Sequence, residues 1–107
     1  MPTFFINMPL QEVSKLPSLF SVSGYKIFFW SDEGTEPIHV HVCKGNLSPH
    51  ATKIWLTKQG GCILASNGSR IPAPELNELM EFISAQFFVI CDAWKKHFLI
   101  DDIKFIC

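Results

Sequence analysis

Two histidines, two residues apart, are the feature of this chain that most directly suggests chemistry. They lie in the β-branched run Glu36-Pro37-Ile38-His39-Val40-His41-Val42. Successive side chains of a strand point to opposite faces, so His39 and His41 share one face and Val40 lies on the other. The β-branched side is expected to enter the core, which leaves the two imidazoles on the opposite face. There they could bind a metal, transfer a proton or meet solvent.

Metal binding is the first hypothesis for this face. A zinc site generally needs three or four protein ligands, so His39 and His41 alone do not make one. Further donors would have to converge on them, and the sequence offers four candidates: Glu36, Cys43, His50 and His97. The pair therefore leaves open a divalent ion such as zinc, and the sequence indicates no other cofactor.

A metal-free ribonuclease is the second hypothesis. His39 and His41 would act as general base and acid, because histidine populates both protonation states near neutral pH. Lys44 would stabilise the charge that develops on the phosphate, with Lys53 or Arg70 as alternatives. The net charge of −1, from nine basic and ten acidic residues, gives no global field that attracts nucleic acid, which leaves only a local basic patch for such binding. Whether the chain is an enzyme stays open.

A structural role is the third hypothesis and the preferred one. In it, His39 and His41 form hydrogen bonds to loop carbonyls or to Glu36. These bonds would hold the hairpin and shape a contact surface for another protein.

The hydrophobic patterns predict the elements that position the histidines. Strands are predicted from aromatic and β-branched runs between turn residues, and they cover 25–30, 38–44, 52–57 and 62–65. From 74 to 98 the apolar spacing changes to that of a helix, with Pro74 in its first turn. We therefore predict an α+β fold, in which a small, mainly antiparallel sheet of about three to five strands packs against one long C-terminal helix.

The predicted helix is long for so small a sheet. Its 25 residues would span roughly 37 Å, so we expect its C-terminal half to contact another subunit or a partner. Phe82, Val89 and Trp94 are the candidate interface residues. Outside the main elements, 9–16 is predicted as a short helix and 101–107 as an edge strand.

Composition sets the class of protein. Apolar residues make up 48% and charged residues 18% of the 107 residues, which predicts one ordered domain over 1–107. Ten phenylalanines and three tryptophans favour a protein partner or a homo-oligomer. The longest apolar run, 87–91, is far shorter than the roughly 20 residues of a membrane helix. The four separated cysteines are expected to be reduced thiols of a cytoplasmic protein: Cys43, Cys62, Cys91 and Cys107.

The order of these motifs resembles a small prokaryotic family, the domain of unknown function 4160. Its members have an aromatic strand after a glycine, an acidic turn, an E-P-P-H-x-H-V strand, an A-K-F-W-L strand and a long helix ending in W-x-x-x-F. The corresponding stretches here are Gly24 to Trp30, Ser31 to Gly34, Glu36 to Val42, Thr52 to Leu56 and Trp94 to Phe98. The resemblance covers 24–98 and leaves 1–23 as an N-terminal extension and 99–107 as a tail. Ile38 and Thr52 depart from the pattern.

The resemblance implies a compact α+β domain and a genomic setting. Family members look like parts of two-gene modules of the toxin–antitoxin kind, beside another small protein. The function expected from it is that of a protein-interaction component, with His39 and His41 at its conspicuous surface. The alternative is a ribonuclease-type or metal-dependent hydrolase that uses the same pair.

Overall fold

Five strands and two helices form the part of the chain that the computed structural model describes, namely residues 18–30, 33–45, 47–48 and 50–107. In chain order they are β1 (Ser18–Val22), β2 (Tyr25–Phe28), β3 (His39–Lys44), β4 (Thr52–Leu56), β5 (Cys62–Ser66), α1 (Ala73–Ala85) and α2 (Phe87–Phe98). None of the helices in these ranges is long and apolar enough to cross a membrane.

The strands form one antiparallel sheet in sequence order, with β1 and β5 at its two edges. Val40 lies opposite Ile54 on β4, and Val42 lies opposite Ile27 on β2. All four are fully buried in the main hydrophobic core, which also contains the buried residues of both helices. The predicted burial of the β-branched side of β3 is therefore confirmed, and so is the α+β class.

The helical region differs from the prediction in one respect, because it is two helices rather than one. Gln86 lies between them with φ −101° and ψ 21°, outside helical geometry. A straight helix of 25 residues would be roughly 37 Å long, whereas the longest dimension of the molecule is 34 Å. Both segments bury apolar side chains: Leu76, Leu79 and Ile83 from α1, and Ile90, Cys91, Ala93 and Trp94 from α2.

The ends of the chain add two findings. β1 was not predicted, and it pairs with β2 while its Leu19 side chain enters the core. The tail, predicted as an edge strand, forms no regular strand. Its backbone still binds the sheet region, because Lys104 O accepts a hydrogen bond from Ile38 N–H and Cys107 O accepts one from Lys58 N–H, both at 2.9 Å. The short helix predicted over 9–16 lies outside the described residues.

Candidate functional site

The two histidines share one face of β3, as predicted, but they are not exposed to solvent. His39 is completely buried and His41 is 5% exposed. Their rings meet edge to face with centroids 4.9 Å apart. A buried imidazole needs hydrogen-bond partners, since an unsatisfied buried polar group costs about 1–3 kcal/mol. The surroundings of the pair therefore decide what it does.

One carboxylate oxygen holds both rings. Glu33 Oε1 lies 2.7 Å from His39 Nε2 and 2.9 Å from His41 Nε2. The prediction that Glu36 binds the histidines is wrong, because the Glu36 carboxylate accepts a hydrogen bond from Lys53 Nζ at 2.9 Å instead. The loop between β2 and β3 turns back over the strand face, and this brings Glu33 above the histidines.

The same contacts set the ionisation of Glu33. Burial alone would raise the pKa of its carboxyl, but the hydrogen bonds from His39 and His41 and the charges of these rings outweigh it. Together they lower the pKa from 4.5 to about 2. Glu33 is therefore a carboxylate at neutral pH, and it accepts the hydrogen bonds of the rings beside it.

A backbone carbonyl fixes the orientation of His39. Its Nδ1 lies 2.9 Å from Pro37 O, which can only accept a hydrogen bond, so Nδ1 bears the proton. This bond to a loop carbonyl agrees with the structural hypothesis. His41 is different, because its buried Nδ1 has no hydrogen-bond partner within the described part of the chain.

The loop that presents Glu33 is clamped by the C-terminal region. Lys104 accepts the Ile38 N–H through its carbonyl, and its ammonium donates to Thr35 O at 3.3 Å. Gly34 lies directly against the ring of Phe98, so a Cβ there would come within 2.5 Å of the ring. The position of Glu33 thus depends on α2 and on the tail, far away in sequence.

A Gly34→Ala substitution tests this clamp. The added methyl group must displace the Phe98 ring or the loop, and overpacking of this kind costs about 1–3 kcal/mol. We expect a lower urea midpoint together with altered NMR signals of both histidine rings. The matched control is Gly45→Ala, because Cβ at Gly45 meets no atom within 4 Å although φ is positive there (76°). That variant should lose stability without disturbing the rings, and a similar disturbance of the rings in both variants would argue against the clamp.

Lys44, predicted to assist catalysis, lies away from the histidines. Alternation along β3 places it on the opposite face, where its ammonium lies 5.5 Å from the ring centroid of Tyr25. The lysine on the histidine face is Lys53, which pairs with His41 across β3 and β4. Because both imidazoles are buried and engaged by Glu33, the geometry does not favour a general acid and base acting on RNA.

The four donors proposed to complete a metal site do not join the pair. The described donor atoms that converge within 4.8 Å of one another belong to Glu33, His39 and His41. The other four lie elsewhere: Glu36 binds Lys53, Cys43 packs with Phe28, His50 is exposed, and His97 packs against Phe29. Sequence reasoning recognised Glu33 only as a turn residue. Its acidic side chain in a short loop before the histidine strand was the available signal.

The predicted interface residues have three different environments. Trp94 is completely buried and contacts Phe29, with ring centroids 4.9 Å apart, so its assignment to an interface is wrong. Phe82 is half-buried against Phe20. Val89 is 38% exposed on α2, and the neighbouring Phe88 is 82% exposed.

Aromatic side chains surround the histidine cluster. Phe28 stacks on His41 with centroids 5.6 Å apart, and Trp30 packs against both. On the other side of the cluster, Trp55 meets His39 edge to face at 5.4 Å. Both Trp30 and Trp55 keep part of their surface open to solvent. The cluster therefore lies between two partly exposed tryptophans.

Comparison with known proteins identifies a family and nothing more specific. The family model described as "Domain of unknown function (DUF4160)" matches residues 24–95, about two thirds of the chain. The chain belongs to this family, as its motifs indicated. No curated protein and no solved structure matches it.

Proposed function

We propose that this member of the DUF4160 family is a protein-binding module, and that it binds its partner through the sheet face that bears the histidines. The observation that supports this is the partial exposure of Trp30 and Trp55 on that face. Both helices pack into the main core. Trp94 of α2 reaches the ring of His39, but the small cluster around Phe28, which includes Trp30, contains no residue of either helix. Tryptophan is enriched among the residues that dominate binding energy at protein interfaces.

The surface around the tryptophans has the composition of an interface. Ile63 pairs with Trp55 across β4 and β5 and is 43% exposed. The ammonium of Lys53 lies 4.3 Å from the Trp55 ring centroid and is paired with Glu36. Apolar and aromatic groups at the centre with a paired charge at the rim are typical of a specific protein contact.

The buried cluster explains why this surface would be rigid. His41 contacts Trp30, and His39 contacts Trp55, while Glu33 binds both histidines. Fixing side chains before binding lowers the entropy cost of association. In this proposal the histidines hold the tryptophans in position by packing against them. They do not need to transfer protons or bind a metal.

The partner we propose is the protein encoded next to this chain, as in a two-gene module of the toxin–antitoxin kind. This expectation comes from the family resemblance. Co-expression of the two proteins should give a complex that survives purification at moderate salt. Trp55→Ala should weaken the complex by roughly 30-fold, which corresponds to the about 2 kcal/mol of a binding hot spot.

Phe88→Ala is the matched control, because it removes an aromatic ring that is 82% exposed on α2. It should leave the affinity unchanged. Loss of the complex in Phe88→Ala with full binding by Trp55→Ala would move the contact to the helix, near the predicted Val89, and would refute the proposed face.

A further inference from the structure

We propose that Glu33, His39 and His41 form a binding site for one divalent transition-metal ion of the zinc class. The proposal goes beyond protein binding and starts from the convergence of three donor atoms. Two imidazole nitrogens and one carboxylate oxygen lie within 4.8 Å of one another. These are the donor types that zinc takes from proteins, and three protein ligands are the number found in open zinc sites.

The orientation of His39 is that of a metal ligand. Its Nδ1–H is donated to Pro37 O, as in metal-bound histidines whose second nitrogen is held by a backbone carbonyl. In the metal-free cluster, Nε2 donates its own hydrogen bond to Glu33 Oε1, 2.7 Å away. A metal ion would take the place of that proton and bind both the imidazole nitrogen and the carboxylate oxygen.

His41 provides a second, independent indication. Its ring is more than nine-tenths buried, and Nδ1 has no partner among the described residues. One carboxylate oxygen can accept a hydrogen bond from each imidazole, but the second ring also buries Nδ1 without a described partner, which costs free energy. A metal ion that binds both Nε2 atoms would offset this cost with a second coordination bond.

The dimensions of the cluster suit an ion after a small movement. Metal–ligand distances of about 2.0–2.2 Å in a tetrahedral site place neighbouring donors roughly 3.3–3.6 Å apart. The present separations from Glu33 Oε1 are 2.7 and 2.9 Å, and the two imidazole nitrogens lie within 4.8 Å of each other. The contacts to Glu33 must therefore open by about 0.4–0.9 Å. Glu33 can provide this movement, because its side chain comes from a loop and is 17% exposed, whereas the histidines come from a central strand.

The donor set also selects the class of ion. Magnesium and calcium prefer oxygen ligands throughout, so two imidazoles disfavour them. Zinc and the neighbouring first-row ions accept this mixture of nitrogen and oxygen. The exposed side of Glu33 is the solvent side of the cluster, so the remaining coordination position would face water or a small external ligand.

Zinc titration of the full-length chain under reducing conditions tests the site. We expect one zinc per chain in calorimetry after removal of metal with a chelator. Glu33→Gln removes one ligand with little change of shape, and it should weaken zinc binding by at least about 100-fold, the upper end of what losing a supporting partner costs. Glu36→Gln is the control, because it changes the same charge in the same loop but breaks only the bond to Lys53; it should bind as the parent does.

Cobalt substitution separates this site from adventitious binding. Co²⁺ held by two imidazoles and a carboxylate lacks the thiolate charge-transfer band that coordination by the exposed Cys107 would produce. Loss of the cobalt ligand-field bands in His41→Ala, with retained native circular dichroism, is the expected result. Absence of stoichiometric zinc binding, unchanged affinity in Glu33→Gln, or a thiolate band would each overturn the proposal.

Discussion

Replacing Trp94 with alanine should lower the free energy of unfolding by about 3–5 kcal/mol, the usual cost of truncating a buried large aromatic residue. Trp94 is completely buried, and its ring lies 4.9 Å from that of Phe29, 4.4 Å from that of Phe98 and 5.4 Å from that of His39. The cavity would thus open beside the histidine cluster as well as within the core. Urea denaturation followed by circular dichroism measures the change.

The same experiment separates a core residue from an interface residue. Phe88 is exposed on the same helix, and Phe88→Ala should change the free energy of unfolding by less than about 0.5 kcal/mol. If Trp94→Ala left stability unchanged but dissociated an oligomer, Trp94 would be the interface residue that its place in the sequence suggested.

The free energy of unfolding should decrease at acidic pH because the Glu33 carboxylate becomes protonated. Its pKa of about 2 in the folded protein lies below the ordinary 4.5, so the unfolded chain takes up the proton first as the pH falls. The stabilisation is complete above pH 4.5 and is lost as the pH falls towards 2. We expect about 2–3 kcal/mol from this group, somewhat less than the full shift because solvent screens the open side of Glu33. Urea midpoints measured across this range give the value.

Glu33→Gln and Glu36→Gln again form the matched pair. The first should remove most of this acid dependence, because glutamine does not ionise. The second should keep it, since Glu36 is 40% exposed and its carboxylate pairs with Lys53 instead of the histidines. Equal acid dependence in the parent and in Glu33→Gln would show that the Glu33 carboxylate does not hold the histidines.

The sheet was predictable because its pattern is local. The two-residue period of Val40 and Val42 predicted which face enters the core, and the turn residues predicted where the strands end. β1 was not predicted because its own residues carry no clear strand pattern, and its pairing with β2 becomes visible only in the structure. Three prolines before Ser18 obscured any strand pattern in that part of the sequence.

The division of the helix was not predictable from residue type. Gln86 is a good helix former, and neither proline nor glycine interrupts 75–98. What the structure adds is the backbone of Gln86, whose φ of −101° and ψ of 21° leave helical geometry. Ile83 before the break and Trp94 after it are both completely buried.

The histidine face was predictable, and its partner was not. Alternation placed His39 and His41 together, but the choice between Glu33 and Glu36 depends on how a loop folds. That loop is held by Phe98 and Lys104, which are more than 60 residues away in the chain. Contacts of this kind leave no periodic signal, so burial of the pair could not be foreseen.

Both proposals depend on Glu33 uniting the two histidines, and histidine ring ¹H–¹⁵N correlation spectra of the metal-free protein test this most directly. The structure predicts a protonated Nδ1 on His39, and ring signals of both His39 and His41 that shift in Glu33→Gln and stay in place in Glu36→Gln. Signals that move in Glu36→Gln and are unchanged in Glu33→Gln would contradict the cluster, and with it both the rigid binding face and the metal site.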